Sequence, residues 1–406
     1  MPKPATASDL GLMDGTPPAG ARLVTLANWQ DAPQNRWGFQ HVRELIPTAR
    51  IRPASSPWPF PREERDLAAL PVTARGRDRP FGDLLAGSYT DGVLVFHGGR
   101  VVYERYLNGL QPDTTHLLMS VSKSVTSAMV GTLVGDGLLD PFDRVTDVLP
   151  ELAGSSFDGC TVRHLLDMRA GTRFDEDYDN PEADVRVYEQ IYLWRPRTRA
   201  GLPPDICSYY PTLVNDGEHG GTFRYRSVLT DLLGWVAERA GGERFADLVS
   251  TRLWQPMGAE YAADVTVDGH GNAMADGGVC CTLRDLARFG RLMLEGGRRD
   301  GVPVVPEAWI ADTLTPDPDS CAAFDANPDE REFPSGAYYR NKWWVFDAGR
   351  GVYAGTGIHG QMVLVDREHG GVVAKLSTWP EPWSAERWME AMEGCRDLLS
   401  RLSQGA

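Results

Sequence analysis

The spacing of apolar and polar positions divides this chain into a strand-rich opening, a helical middle and a strand-rich end. Val93-Leu94-Val95-Phe96-His97 and Arg100-Val101-Val102-Tyr103, joined by Gly98-Gly99, predict a β-hairpin. Val121, Val125, Ala128, Met129, Leu133 and Val134 then recur near a 3.6 period. They predict a helix opening at Ser120, loosened by Gly135 and Gly137 and stopped by Asp140-Pro141. From about 141 to 280 helices and loops are expected to dominate. Residues 227–240 carry Val228, Leu232, Leu233 and Val236 on one side and end at Gly241-Gly242; a further helix is expected over 245–254. Thr282-Leu283-Arg284-Asp285 has the form of a capping box, and Leu286, Phe289, Leu292 and Met293 extend that helix to Gly296-Gly297. Strands are expected over 343–346, 361–366 and 372–377, the last two paired across Arg367 to Gly371, before a final helix over 384–402.

Strands at both ends with helices between imply a sheet completed by distant segments, a second lobe of helices, and a cleft between them where a site belongs. The expected class is α+β, an antiparallel sheet flanked by helices plus a mainly helical lobe. Residues 1–80 are polar and rich in Pro and Arg, but Trp29, Trp37, Phe39, Trp58 and Phe60 suggest an arm packed on the body. Residues 81–140 with 281–406 would form the α/β domain, and 141–280 the helical one.

Composition narrows the function. The chain has 406 residues, 42% hydrophobic, with 12 tryptophans, enough for a large core. A net charge of −15 argues against a nucleic-acid partner, which needs a basic face. Nothing approaches a membrane span. Met1-Pro2-Lys3-Pro4 leads into a polar stretch without the apolar run of a leader, so the cytoplasm is expected. The six cysteines match no zinc or redox spacing, and no metal or organic cofactor is implied.

The informative chemistry is Ser120-Val121-Ser122-Lys123. Positions i and i+3 share a helix face, so the Lys123 amine can lie beside the Ser120 hydroxyl, a poor nucleophile until a neighbour polarises it. The helix N-terminus favours an oxyanion near Ser120 and, with burial, is expected to depress the Lys123 pKa toward a neutral base. Ser120 as an ordinary N-cap is the competing reading. Tyr225-Arg226-Ser227 precedes a helix, so Tyr225 can reach the cleft and shuttle protons, or simply pack while Ser227 caps. In Gly355-Thr356-Gly357-Ile358-His359-Gly360-Gln361 the glycines permit close approach to the backbone. There the Ile358 N–H is placed to join that of Ser120 as an oxyanion hole. His359 is either a substrate contact or a structural hydrogen-bonder.

In this order, Ser-x-x-Lys, Tyr-x-Ser and a Gly-Thr-Gly strand resemble the serine β-lactamase and penicillin-binding-protein superfamily, in its class C, D-aminopeptidase and esterase branch, over roughly residues 85–400. A nearer resemblance is to the 6-aminohexanoate-dimer (nylon oligomer) hydrolases and related carboxylesterases. It is carried by Asn28-Trp29, Asn35-Arg36-Trp37, Leu166-Asp167-Met168, Asp175-Glu176-Asp177-Tyr178, Tyr225-Arg226-Ser227 and Gly357-Ile358-His359-Gly360-Gln361. The resemblance implies a β-lactamase-like fold, Ser120 as nucleophile, Lys123 as base and Tyr225 as proton relay, with Ser120 and Ile358 holding the oxyanion. It also implies that Tyr178, on an acidic loop that is either a lid or a solvated face, bonds the substrate amide nitrogen; Gly357, His359 and Ser227 complete the substrate-binding set. Two departures matter. Ser227 stands where the superfamily has asparagine, so its hold on Lys123 is in question. Gly355 stands where β-lactamases carry the lysine that pairs with a β-lactam carboxylate, so small esters or short linear amides are favoured. An idle binding or sensor protein on the same scaffold remains the rival, with β-lactamase or D-aminopeptidase as rivals among enzymes. The expected partner is a small-molecule substrate, and a homodimer is compatible with the chain.

Overall fold

The computed structural model describes residues 3–327 and 333–405. A seven-stranded antiparallel sheet is assembled from both ends of the chain. In spatial order its strands are Tyr338–Arg340, Trp343–Asp347, Val352–Gly357, Gln361–Asp366, Gly371–Ser377, Thr90–His97 and Arg100–Tyr106. Both hairpins expected from the sequence are present, and Gly371–Ser377 joins them by pairing Val373 with Val95. Successive side chains point to opposite faces of a strand. Val93, Val95, Leu364 and Val373 accordingly pack with the helix Ala385–Ser403, while Leu94, Phe96, Val363 and Val372 pack with Leu283–Leu294. Both faces are covered, so these strands read as unbroken apolar runs.

The helix Val121–Gly135 lies between this sheet and the helical lobe and is buried from Val121 to Leu133. Its buried hydroxyls fasten it to its surroundings. Thr126 Oγ1 donates to the Ala275 carbonyl at 2.7 Å, Ser124 Oγ donates to the Lys342 carbonyl at 2.9 Å, and Ser122 Oγ accepts the Val279 N–H at 3.1 Å. Each bond satisfies a polar group that would otherwise be costly to bury. The helix start is thereby fixed to three chain segments.

Two points refine the expectations. Within the mainly helical span 141–280, Ala263–Thr266 and Val279–Cys281 form a second antiparallel sheet with Thr48–Ile51 and His116–Leu117. Strands of two to four residues are too short to show a period. The Gly-Thr-Gly strand read from the sequence is the end of Val352–Gly357, and Ile358–Gly360 forms the turn after it. The Thr282 cap is half a capping box. Thr282 Oγ1 accepts the Asp285 N–H, but the Asp285 carboxylate accepts the Glu260 and Tyr261 N–H groups and pairs with Arg288. From the N-terminal 80 residues, Trp29, Phe39 and Trp58 are buried, and the Trp29 indole donates to the Trp194 carbonyl at 2.7 Å. No helix among the described residues is long and apolar enough to cross a membrane.

Candidate active site

The helix Val121–Gly135 begins in a tight conformation. Met119 has φ +47°, a left-handed backbone that costs a residue with a Cβ and is held by its surroundings. The Leu118 N–H is fixed by the Val279 carbonyl at 2.9 Å, which ties the turn to the second sheet. Ser120 follows at the cap position, yet its side chain makes no capping bond. The same holds for Ser227 at the start of Val228–Gly241. Both hydroxyls are free for other work, against the N-cap reading.

Lys123 is 1% exposed and its ammonium faces four acceptor atoms on three residues. Ser120 Oγ lies at 2.8 Å, Ser227 Oγ at 3.0 Å, and Asp276 offers its Oδ2 at 3.0 Å and its carbonyl at 3.2 Å. An ammonium has three protons and no lone pair, so this set saturates it. Burial pushes the Lys123 pKa down, but its electrostatic partners, Asp276 foremost, more than offset this and leave it raised. The expected depressed, neutral amine is therefore not the resting state. The reason is Asp276, which carried no motif. Its own N–H donates to Asp231 Oδ1 at 2.8 Å. Burial, and then the charge of Asp276, push the Asp231 carboxyl well up, as befits the second of two neighbouring acids.

Tyr225 lines the cleft with Ser120, and the Lys123 ammonium lies 5.0 Å from its ring centroid. Burial raises the phenol's pKa, while the Lys123 charge and a hydrogen bond to Ser120 pull it back. The net direction is up, so Lys123 moderates the phenol without making phenolate its resting form. Ser227 does hold the lysine. It accepts from Lys123 and donates its own proton to Glu176 Oε1, while its N–H donates to Glu176 Oε2 at 2.8 Å. Tyr178 donates to Glu176 Oε1 at 2.9 Å. Glu176, another residue the sequence left without a role, thus joins the acidic loop to the centre. Burial raises its pKa against the opposing charge of Lys123 and the Ser227 bonds.

Ile358 and Gly357 line the same cleft as Ser120. A Cβ on Gly357 would stand 2.9 Å from the Ser120 nitrogen and 2.8 Å from the Leu118 carbonyl, so only glycine lets this strand end approach the Ser120 backbone. His359 is not a wall of this cleft. It has φ +60°, is 2% exposed, and bonds through Nδ1 to the Trp379 carbonyl at 2.8 Å while its N–H donates to the Pro382 carbonyl at 2.7 Å. Burial brings its pKa down to about 4, so it is a neutral structural ring that shapes the turn.

The buried Lys342 amine lies outside this network. Lys342 is 1% exposed, and its Nζ contacts the Met168 sulfur at 3.2 Å. Burial, then the Lys123 charge, lowers its pKa well below the usual lysine range. The unfolded chain therefore binds more protons than the native one between the two pKa values, and stability rises with pH across that window. Lys342→Met is expected to stabilise the protein by about 1–3 kcal/mol at pH 7. The gain should shrink toward pH 10, as measured by denaturant unfolding at both pH values. For a metal, the one His/Cys/Asp/Glu group close enough among the described residues is Asp366, Glu368 and His369. It sits at the far end of the strand from Ile358, and Arg350 and Arg396 already face it.

A serine and a buried lysine on one helix turn, a tyrosine over them, and a glycine strand end against the serine's backbone define a β-lactamase-type site. The chain belongs to the β-lactamase family, whose profile matches residues 84–393. It is an enzyme of that serine hydrolase superfamily. Over 391 residues, 95% of each chain, it is 41% identical to the 6-aminohexanoate-dimer hydrolase of Paenarthrobacter ureafaciens. A Bacillus anthracis structure named provisionally as a 6-aminohexanoate-dimer hydrolase superposes with a TM-score of 0.85 at 25% identity, covering 95% of this chain and 98% of that one. A D-stereospecific amidohydrolase from Streptomyces sp. shares the fold, with a TM-score of 0.55 at 19% identity over 75% of this chain and 94% of its own.

Proposed function

We propose that the protein hydrolyses small esters or short linear amides, of the 6-aminohexanoate-oligomer kind, through an acyl-enzyme on Ser120. The observation that carries this is the convergence of Lys123 Nζ, 2.8 Å from Ser120 Oγ, with the Tyr225 phenol over both. Because Asp276 favours the ammonium, Lys123 and Tyr225 act as a pair that shares its protons. Once the pair has lost one proton, Ser120 Oγ–H passes its proton to Tyr225 as the oxygen bonds the carbonyl carbon. The oxyanion forms against the Ser120 and Ile358 N–H groups. Tyr225 returns the proton to the leaving nitrogen or oxygen as that bond breaks; it then takes one from water as the water oxygen bonds the acyl carbon, and gives it to Ser120 Oγ as the acyl–Oγ bond breaks and the acid leaves. Lys123 stays charged throughout and holds the phenolate.

The choice between amide and ester turns on Tyr178. An amide nitrogen that pyramidalises needs a hydrogen-bond partner, and an alkoxide does not. Tyr178 lines both the main cleft and the small pocket beside Ser120, and its hydroxyl has only to leave Glu176 to serve. Tyr178→Phe is expected to lower kcat/KM for a linear amide about 10-fold more than for a p-nitrophenyl ester. Equal losses on both substrates would remove Tyr178 from that role. The intact Ser120–Lys123–Tyr225 geometry favours an active enzyme over an idle sensor. Gly355, with no cation at the β-lactamase lysine position, favours open-chain substrates over β-lactams.

A further inference from the structure

We propose that a row of aromatic rings from Tyr225 to Trp383 is the leaving-group subsite, and that it selects esters and amides whose alcohol or amine is a long alkyl chain or an aryl group. This rests on the acyl-enzyme reading above and extends it to substrate class. The Tyr225 and Trp344 rings stack with centroids 5.6 Å apart and planes 16° apart. Trp344 stacks on Phe333 at 4.7 Å and 8°. Phe333 meets Trp388 at 5.0 Å, and Trp388 meets Trp383 at 6.0 Å. All five rings line the main cleft, and Trp383 at the far end is 47% exposed. The row is braced from behind, since Phe333 stacks on Phe346 and Trp344 meets Tyr339 edge-on at 4.8 Å.

Two observations assign the row to the leaving group. The first is where it begins. Tyr225 is the group that protonates the departing atom, so whatever that atom carries must extend away from Ser120 along the Tyr225 ring and its neighbours. The second is the difference in space. The main cleft holds about 1100 Å³, whereas the pocket behind Ser120, lined by Met119, Val185, Trp194 and Met274, holds about 20 Å³, room for about one water. A long alkyl or aryl leaving group therefore finds its room in the main cleft, where the aromatic row forms the wall that begins at Tyr225. Aromatic faces gain from alkyl and aryl groups through dispersion and buried apolar area without asking for a particular functional group. The cleft is also lined by the carboxylates of Asp175, Asp177 and Asp179, which offer an apolar chain nothing, so the aromatic row is the surface it prefers.

The test varies one half of the ester at a time. With the acyl group fixed as acetyl, kcat/KM is expected to rise about two- to fourfold per methylene from ethyl to hexyl acetate. With the alcohol fixed as ethanol, lengthening the acyl group from acetate to octanoate should give no gain. Trp383→Ala and Trp344→Ala should cost about tenfold more on hexyl than on ethyl acetate. A rise along the acyl series with a flat alcohol series would overturn the assignment. Calorimetric binding of 2-naphthol to Ser120→Ala protein keeps this separate from the hydrolytic reading. Binding that weakens about tenfold on adding Trp383→Ala supports the subsite even if every ester proves inert. Absent binding, or binding indifferent to both tryptophans, overturns it.

Discussion

Ser120→Ala is expected to lower p-nitrophenyl ester turnover by about 10⁴-fold or more, with the far-UV spectrum and the unfolding transition unchanged. The expectation follows from geometry. Ser120 Oγ is the atom on which Lys123 and Tyr225 both converge, and the Gly357 strand end is pressed against the Ser120 nitrogen. Removing one oxygen leaves the oxyanion donors and the cleft in place, so a residue of catalysis over water survives. The fold should tolerate the change, because the Ser120 side chain does not cap its helix and its partners are site groups. Activity that persists within tenfold of the wild type, in folded protein, would take the nucleophile elsewhere.

The second large effect concerns Asp276. Asp276→Asn keeps the shape of the side chain and removes the charge facing the Lys123 ammonium at 3.0 Å. A buried cation that loses its partner costs about 3–5 kcal/mol unless it sheds its proton. Stability in denaturant should fall by that order at pH 7. The pH profile should move as well. The reactive form requires the Lys123–Tyr225 pair to have lost one proton, and an anion beside the pair opposes that loss. Without the anion the proton leaves at lower pH, so the acidic limb of kcat/KM is expected to shift down by at least about one unit. A profile superimposable on the wild type, with stability intact, would mean that Asp276 does not govern the pair.

How much of this was legible before the structure varies from residue to residue. Ser120 and Lys123 could be read because one helix turn brings them together, a relation the chain itself encodes. Tyr225, Gly357 and Ile358 were legible through the order of three short motifs. The family and the α+β fold followed from the same order together with strands at both ends. Asp276 and Glu176 were not legible. Each reaches Lys123 or Ser227 across tertiary contacts, and no period or spacing marks them. Missing Asp276 also reversed the sign of the Lys123 pKa shift, since burial alone pushes an amine down and only a paired carboxylate pushes it back up. Gly355-Thr356-Gly357 reads as a strand; what its sequence does not show is that its two glycines pack against Ser124 and Ser120. His359 carried a real signal, but it marked the left-handed turn that presents Ile358, a backbone role that residue type alone does not reveal. The aromatic row draws rings from near 225, 333, 344, 383 and 388, and twelve tryptophans in a composition do not say which of them align.

The most direct measurement is the intact mass of the protein quenched during turnover of a p-nitrophenyl ester, followed by peptide mapping. The account predicts a transient species heavier by one acyl group, located on Ser120, lost with time and absent from Ser120→Ala. An adduct on another side chain, or full turnover by the wild type with no acylated species at any quench time, would contradict it.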